Sequence, residues 1–590
     1  MKRSTKVVLV LFGLFFFAAA GVAVYLTLRP AKARVSIASK TVLKLDLERR
    51  LPETAPENPF AVLRGEAPLT LRGVVETLER AGADDRVSGL VARVGAAPLG
   101  MAGVQEIRDA VKAFRAKKKF AVVFSETFGE FGPGNGAYYL ATAFDEIWLQ
   151  PSGDVGLNGW VLEAPFLRGM LDKLGVTPQF GQRYEYKNAM NVFTDTKFTD
   201  SYREAEQRLL DSISGQTVRG IAEGRKLSEA GVRALIDRGP FLGTEAKEAK
   251  LVDGLAYWDE ISEKVKARAG AGAEFLSFTA YRDGAGSPYD SGARTLALIY
   301  GVGGVARGRS GYNPVTESWT MGSETVASAF RKAVKDSDVA AIVFRVDSPG
   351  GSYVASDTIW REVSRARKAG KPVVVSMGSV AASGGYFVAM NADRIVAEPG
   401  TITGSIGVLG GKFVTPAMWE KVGITFDQVE SGTHANFWNS SRPYSEGEWV
   451  RFNAWLDRVY EDFTSKVAEG RKLPKERVLE IAKGRVWTGE DAKDRGLVDE
   501  LGGLSTAIRA AKDAAKIPPT DSVRLVEFPK RKSPFESLMT RLSGGEDEEG
   551  PSESSLGTLD ALRPLVRKLE AAGLLDTEPG VLRMRPFEIR

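Results

Sequence analysis

An Ala-Ala-Ser-Gly-Gly-Tyr run at residues 381–386 follows, about thirty residues on, an Asp-Ser-Pro-Gly-Gly run at 347–351, and the pair suits acyl transfer. Ser383 is the candidate nucleophile. Gly384 can offer its backbone N–H to a tetrahedral oxyanion with no side chain in the way. The Pro349-Gly350-Gly351 turn can aim a second N–H, that of Gly350, at the same point. Taken singly, each motif reads as an ordinary tight turn. Together, each after an apolar β-rich run, they read as a site.

Composition narrows what could activate the serine. The 590-residue chain has no cysteine and one histidine. His434 stands in the polar stretch Ser431-Gly432-Thr433-His434-Ala435-Asn436, with nothing tying it to Ser383. A Ser-His-Asp triad is therefore disfavoured, a cysteine nucleophile is excluded, and so is a His/Cys zinc cluster. No metal or other cofactor is called for. Lysine is the remaining common base. To be neutral at working pH its pKa must fall from about 10.4 toward 7.5, which takes roughly 4 kcal/mol of desolvation or charge repulsion. Only a buried lysine meets that requirement.

An internal repeat singles one out. Residues 221–229 read IAEGRKLSE and residues 467–475 read VAEGRKLPK; Ala246-Lys247 and Leu251-Val252-Asp253 recur as Ala492-Lys493 and Leu497-Val498-Asp499, at a constant offset of 246. Upstream the match continues with small gaps, so that Tyr138 to Asp145 answers Tyr386 to Asp393. Two copies of one domain make up most of the chain. They have diverged where chemistry would sit. Asn135 stands where the second copy has Ser383, and Ala96-Ala97-Pro98-Leu99-Gly100 replaces the PGG turn. The first copy carries Tyr184-Glu185-Tyr186-Lys187-Asn188-Ala189, whereas the matching stretch of the second, around residues 432–436, has no lysine. Each half keeps what the other has lost.

With these motifs and Thr403-Gly404-Ser405-Ile406-Gly407, the chain resembles the long, tandem-repeat form of the signal peptide peptidase A family. These are membrane-anchored Ser-Lys proteases of the ClpP/crotonase-like superfamily. The resemblance runs from the amino terminus to about residue 515. It implies an α/β fold of two tandem ClpP/crotonase-like repeats behind an N-terminal transmembrane helix, with Ser383 as nucleophile and Lys187 as general base. It further implies that Ser405 orients the lysine amine, that signal peptides are the substrates, and that a homo-oligomer, a tetramer, encloses the dyads. The lysine motif reads Lys-Asn-Ala here where the family pattern leads one to expect Lys-Ser-Ala.

The elements that must position these groups read as α/β. Residues 340–346, 373–377 and 394–398 are short β-branched runs suited to buried parallel strands, separated by helical segments near 354–368 and 383–391. Amphipathic helices near 200–224 and 445–470 close the repeats. The organisation expected is an anchor with flanks over 1–34, a first repeat over 35–290, a second over 291–515, and a linker and tail over 516–590. Residues 544–555 are acidic and Gly/Ser-rich, with one helix expected near 558–572.

Residues 7–28 form an uncharged run of twenty-two residues, long enough to cross about 30 Å of hydrocarbon. Lys2, Arg3 and Lys6 precede it and Arg29, Lys32 and Arg34 follow, so the charge balance favours N-inside only weakly. A cleavable signal ending near 31–33 is the rival reading. Either places the globular part outside the cytoplasm, on the periplasmic side of a bacterial inner membrane. Net charge is +5 with both signs intermixed, and no nucleic-acid patch stands out.

Three function classes follow. The leading one is a membrane-bound serine endopeptidase that degrades cleaved signal peptides and other short hydrophobic peptides through an acyl-enzyme. The second is a crotonase-like acyl-CoA hydratase or hydrolase, which would need a carboxylate at the reacting carbon. The third is a non-catalytic membrane scaffold.

Overall fold

The computed structural model describes residues 35–55, 68–95, 99–313 and 316–529, together with two short strands, Ser552–Glu553 and Val581–Arg583. The apolar run at 7–28, residues 96–98 and the helix expected near 558–572 lie outside the described residues. Among the described residues no helix is long and apolar enough to cross a membrane.

Each repeat is a parallel sheet covered by helices. In the first, the strand order is Gly254–Leu255, Glu146–Leu149, Phe120–Ser125, Val87–Arg93, Thr41–Asp46 and Glu274–Ser277. In the second it is Val486–Thr488, Ile402–Gly404, Val373–Ala382, Val339–Ser348, Arg294–Val302 and Val523–Phe528. Arg394–Ala397 pairs with the early part of Val373–Ala382, and only Val486–Thr488 runs antiparallel to its neighbour. The strands are near-continuous apolar runs because helices bury both faces: Ala341 to Phe344 and Val373 to Val375 have no exposed surface.

The duplication extends to side-chain detail. Tyr138 Oη donates to Leu251 O at 2.7 Å, and Tyr386 Oη donates to Leu497 O at 3.0 Å. Asp253 accepts from Ile147 N–H and Asp499 from Ile395 N–H, both at 2.7 Å. The long helices Asp200–Arg225 and Glu446–Arg471 both end on a left-handed lysine, Lys226 and Lys472.

The repeats dock through polar and apolar contacts alike. Leu209 and Ile213 of the first pack against Ala382 and Ile402 of the second. Ser212 Oγ meets Thr488 Oγ1 at 2.8 Å, and the Arg208 guanidinium meets the Asp491 carboxylate at 2.5 Å.

Candidate active site

The Val339–Ser348 and Val373–Ala382 strands are neighbours in the second sheet, so the two glycine-rich motifs end side by side. Ser383 leaves its strand at φ +54° and ψ −118°, a conformation that costs a residue with a side chain. Two backbone bonds hold it: Ser383 N–H to Gly404 O at 2.9 Å and Phe387 N–H to Ser383 O at 2.8 Å. Ser383 opens a helix, as the sequence leads one to expect. That helix, Gly384–Ala389, is only six residues long, so its dipole adds little.

The Gly-Gly pair lets this turn press against the neighbouring strand. A Cβ on Gly384 would lie 2.7 Å from Ser356 Oγ and 3.0 Å from Gly351 N, and one on Gly385 would lie 2.4 Å from Ser348 O. Gly350 adopts φ +102° and donates its N–H to Ser348 Oγ at 3.2 Å. That bond is longer than the usual 2.9–3.0 Å, and a stronger acceptor could take it over.

The lysine arrives on an arm from the other repeat. Thr177–Arg183 pairs antiparallel with Val408–Val414 of the second repeat, from Thr177 opposite Val414 to Arg183 opposite Val408. Arg183 fixes the arm's end by binding Asp457 at 2.5 Å and Asn453 Oδ1 at 3.1 Å. Tyr184 packs edge-on against Tyr460, and Tyr186 N–H donates to Lys483 O at 3.2 Å. Lys187 then enters beside Gly484, which has φ +82°; a Cβ there would lie 2.5 Å from Lys187 Cβ.

Lys187 is 1% exposed. Its Nζ lies 2.9 Å from Ser383 Oγ, 2.8 Å from Ser405 O and 2.9 Å from Ser405 Oγ. Burial pulls its pKa from 10.5 down to about 7. Among the described residues no carboxylate forms an ion pair with it. A neutral amine has two N–H bonds and one lone pair. The two Ser405 oxygens can accept the N–H groups, which leaves the lone pair for the Ser383 hydroxyl. Ser405 can present both oxygens because it sits at φ +50°, with its own N–H bound to Arg485 O at 2.7 Å.

The structure thus brings Ser383, Lys187, Ser405, Gly350 and Gly384 into one place. His434 is exposed, with Nδ1 3.9 Å from Glu448. In the first repeat Asn135 is built into the fold: its Oδ1 accepts from the N–H groups of Asn158 and Gly159 at 3.2 Å, and its Nδ2 donates to Gly159 O at 2.7 Å. Sequence reasoning missed the Lys483-Gly484-Arg485 loop that admits the lysine. The first repeat has a glycine in the corresponding loop, Gly239, so no local signal marks Gly484 out.

The model of peptidase family S49 matches residues 113–272 and 365–518. The chain belongs to peptidase family S49. The first S49 stretch carries Asn135 and Lys187, and the second carries Ser383 and Ser405. Among similar proteins, "Serine protease SPPA, chloroplastic" of Arabidopsis thaliana is 32% identical over 84% of this chain and 72% of its own length. "Protease 4" of Salmonella typhi is 32% identical over 76% of this chain and 72% of its own. "Protease 4" of Haemophilus influenzae is 29% identical over 82% and 80%. The α/β architecture with two repeats expected from the sequence is that of this S49 chain.

Proposed function

We propose that this S49 peptidase is a serine endopeptidase whose dyad, Ser383 and Lys187, is assembled from its two repeats. The observation that carries the reading is the buried lysine amine at 2.9 Å from the serine hydroxyl, with no carboxylate partner among the described residues. Neutral Lys187 takes the Ser383 proton as Oγ attacks the scissile carbonyl. The N–H groups of Gly350 and Gly384 receive the oxyanion, with Gly350 exchanging its bond to Ser348 Oγ for one to substrate. Lys187 then passes the proton to the departing amine, leaving an acyl-enzyme on Ser383. Water, deprotonated by the same amine, releases the acid and restores the hydroxyl.

The substrates in this reading are cleaved signal peptides and other short hydrophobic segments, and the printed name of a further relative, "Putative signal peptide peptidase SppA" of Enterococcus faecium, 31% identical over 35% of this chain and 59% of its own length, supports signal peptides. The apolar run at 7–28 supports a single-pass anchor in a bacterial inner membrane, with the peptidase on the extracytoplasmic side. A homo-oligomer, a tetramer by family resemblance, is supported by an unpaired copy of the lysine arm. Val422-Gly423-Ile424-Thr425 answers Leu174-Gly175-Val176-Thr177, yet the second copy forms no strand and exposes Val422, Ile424, Phe426 and Val429. A neighbouring chain would give it a partner.

Treating the full chain in detergent with a fluorophosphonate tests the reading. Mass spectrometry should find one adduct, on Ser383, and peptide hydrolysis should be lost with it. An acyl-CoA hydratase or a scaffold would give neither result.

A further inference from the structure

The two catalytic strands do not run in simple register. Val346 stands opposite Met377, but Ser348 stands opposite Ala381. Asp347 alone therefore faces Gly378, Ser379 and Val380, a three-against-one bulge placed just before Ser383 on one strand and Gly350 on the other. The Asp347 side chain occupies the bulge. Val380 N–H donates to Asp347 Oδ1 at 2.9 Å, and the neighbouring Ser379 N–H also favours the charged carboxylate. Gly378 has to be glycine, because a Cβ there would lie 2.9 Å from Asp347 Cβ and 3.0 Å from its Cγ. The Asp347 carbonyl in turn accepts from Gly303 N–H at 2.9 Å.

The first repeat braces this bulge from outside. Ser379 lies against Gly100, where a Cβ would come 2.3 Å from Ser379 Oγ. Two residues before Asp347, buried Arg345 binds Glu53 through Nε at 2.9 Å and Nη2 at 2.7 Å, and Glu106 through Nη2 at 2.8 Å. Both glutamates belong to the first repeat.

We propose that Asp347 is a positioning residue for the peptidase reaction: its ionised carboxylate, seated in the bulge and holding the Val380 N–H, fixes the offset between the nucleophile and the oxyanion strand. The inference rests on the Ser383–Lys187 reading. A carboxylate holds a backbone N–H donor more strongly than a neutral carboxyl does, so protonation of Asp347 loosens the bulge. The charged groups facing it are Glu53 from the first repeat and Arg345 from its own strand, with Glu106 behind Arg345. Burial and the Glu53 charge push its pKa up to about 7, against the opposing pull of Arg345. The charge is thus lost close to neutrality, in the same range in which Lys187 gains its proton.

Full turnover then needs both groups deprotonated, and the acid limb of the pH–rate profile reports how many titrate. In the full chain, log kcat for a fluorogenic peptide should fall between about pH 7 and pH 5 with a slope steeper than one per pH unit. Asp347→Asn should bring that slope to one. At pH 8 its kcat should drop about 10- to 100-fold while KM stays within about two-fold, since what is lost is alignment rather than binding. Its unfolding midpoint at pH 8 should be unchanged or higher, because a costly buried charge has been removed. A purely structural role would lower the midpoint and leave the slope alone. A wild-type slope of one, or wild-type kcat in Asp347→Asn at pH 8, overturns the proposal. The wild-type slope decides even if the variant does not fold. Turnover that survives Ser383→Ala would instead refute the dyad itself.

Discussion

Replacing Lys187 by methionine should abolish hydrolysis and yet stabilise the protein at neutral pH. Methionine keeps the unbranched stem and removes the charge. Lowering the amine's pKa from 10.5 to about 7 means that folding gives up about 5 kcal/mol of proton affinity. Between those two values the unfolded chain holds a proton that the folded chain does not, so this group makes stability rise with pH from about 7 to 10.5. At pH 7 the lysine costs about 4 kcal/mol, against which its bonds to Ser405 and Ser383 return about 1–2 kcal/mol. The methionine variant should therefore be about 2–3 kcal/mol more stable at pH 7. Guanidinium unfolding of both proteins, followed by tryptophan fluorescence at pH 7 and pH 10, reads the difference; other titrating groups cancel. It should fall by about 3–4 kcal/mol over that range, leaving the methionine variant the less stable by about 1 kcal/mol at pH 10. A difference that does not change with pH would mean that Lys187 is charged in the folded protein, and the proposed base would be wrong.

Ser405→Ala removes one of the two acceptors that orient the amine and leaves the Ser405 carbonyl. It should cost about ten-fold in kcat, equivalent to about 1–1.5 kcal/mol, with KM little changed in steady-state peptide hydrolysis. Gly484→Ala places a methyl group against Lys187 Cβ at a left-handed φ. It should cut activity by at least about 100-fold while circular dichroism and melting report an intact fold. Asn135→Ser should create no second site, because the first repeat has no PGG turn and Asn135 anchors the Asn158-Gly159 loop; titration with a fluorophosphonate should still count one reactive serine per chain. Charged substitutions at Ile424 and Phe426 should lower the molar mass measured by light scattering in detergent if the exposed arm joins neighbouring chains.

Much of this site could be read from the sequence because its chemistry is local. Ser383 and Gly384 are adjacent, Gly350 lies in a short glycine turn, and both motifs close β-branched runs that became the Val339–Ser348 and Val373–Ala382 strands. The helices near 200–224 and 445–470 were equally legible, since a 3.6-residue apolar period persists over their length. Lys187 required the comparison of two repeats, because a single lysine among aromatics carries no sign of burial. What remained hidden depends on contacts between distant segments. The arm strand Thr177–Arg183 takes its register from Val408–Val414, more than two hundred residues away. Gly484 matters only because Lys187 passes it, and the bulge at Asp347 exists only in the pairing of two strands.

In the proposed mechanism a neutral Lys187 from the first repeat activates Ser383 of the second. The rate of fluorophosphonate modification of Ser383, measured against pH in the wild-type chain and in Lys187→Met, isolates that activation step. The wild-type rate should rise through about pH 7, and the variant should react at least about 100-fold more slowly at pH 8. Equal rates in the two proteins, or a wild-type rate that keeps climbing toward the titration of a free lysine, would contradict it.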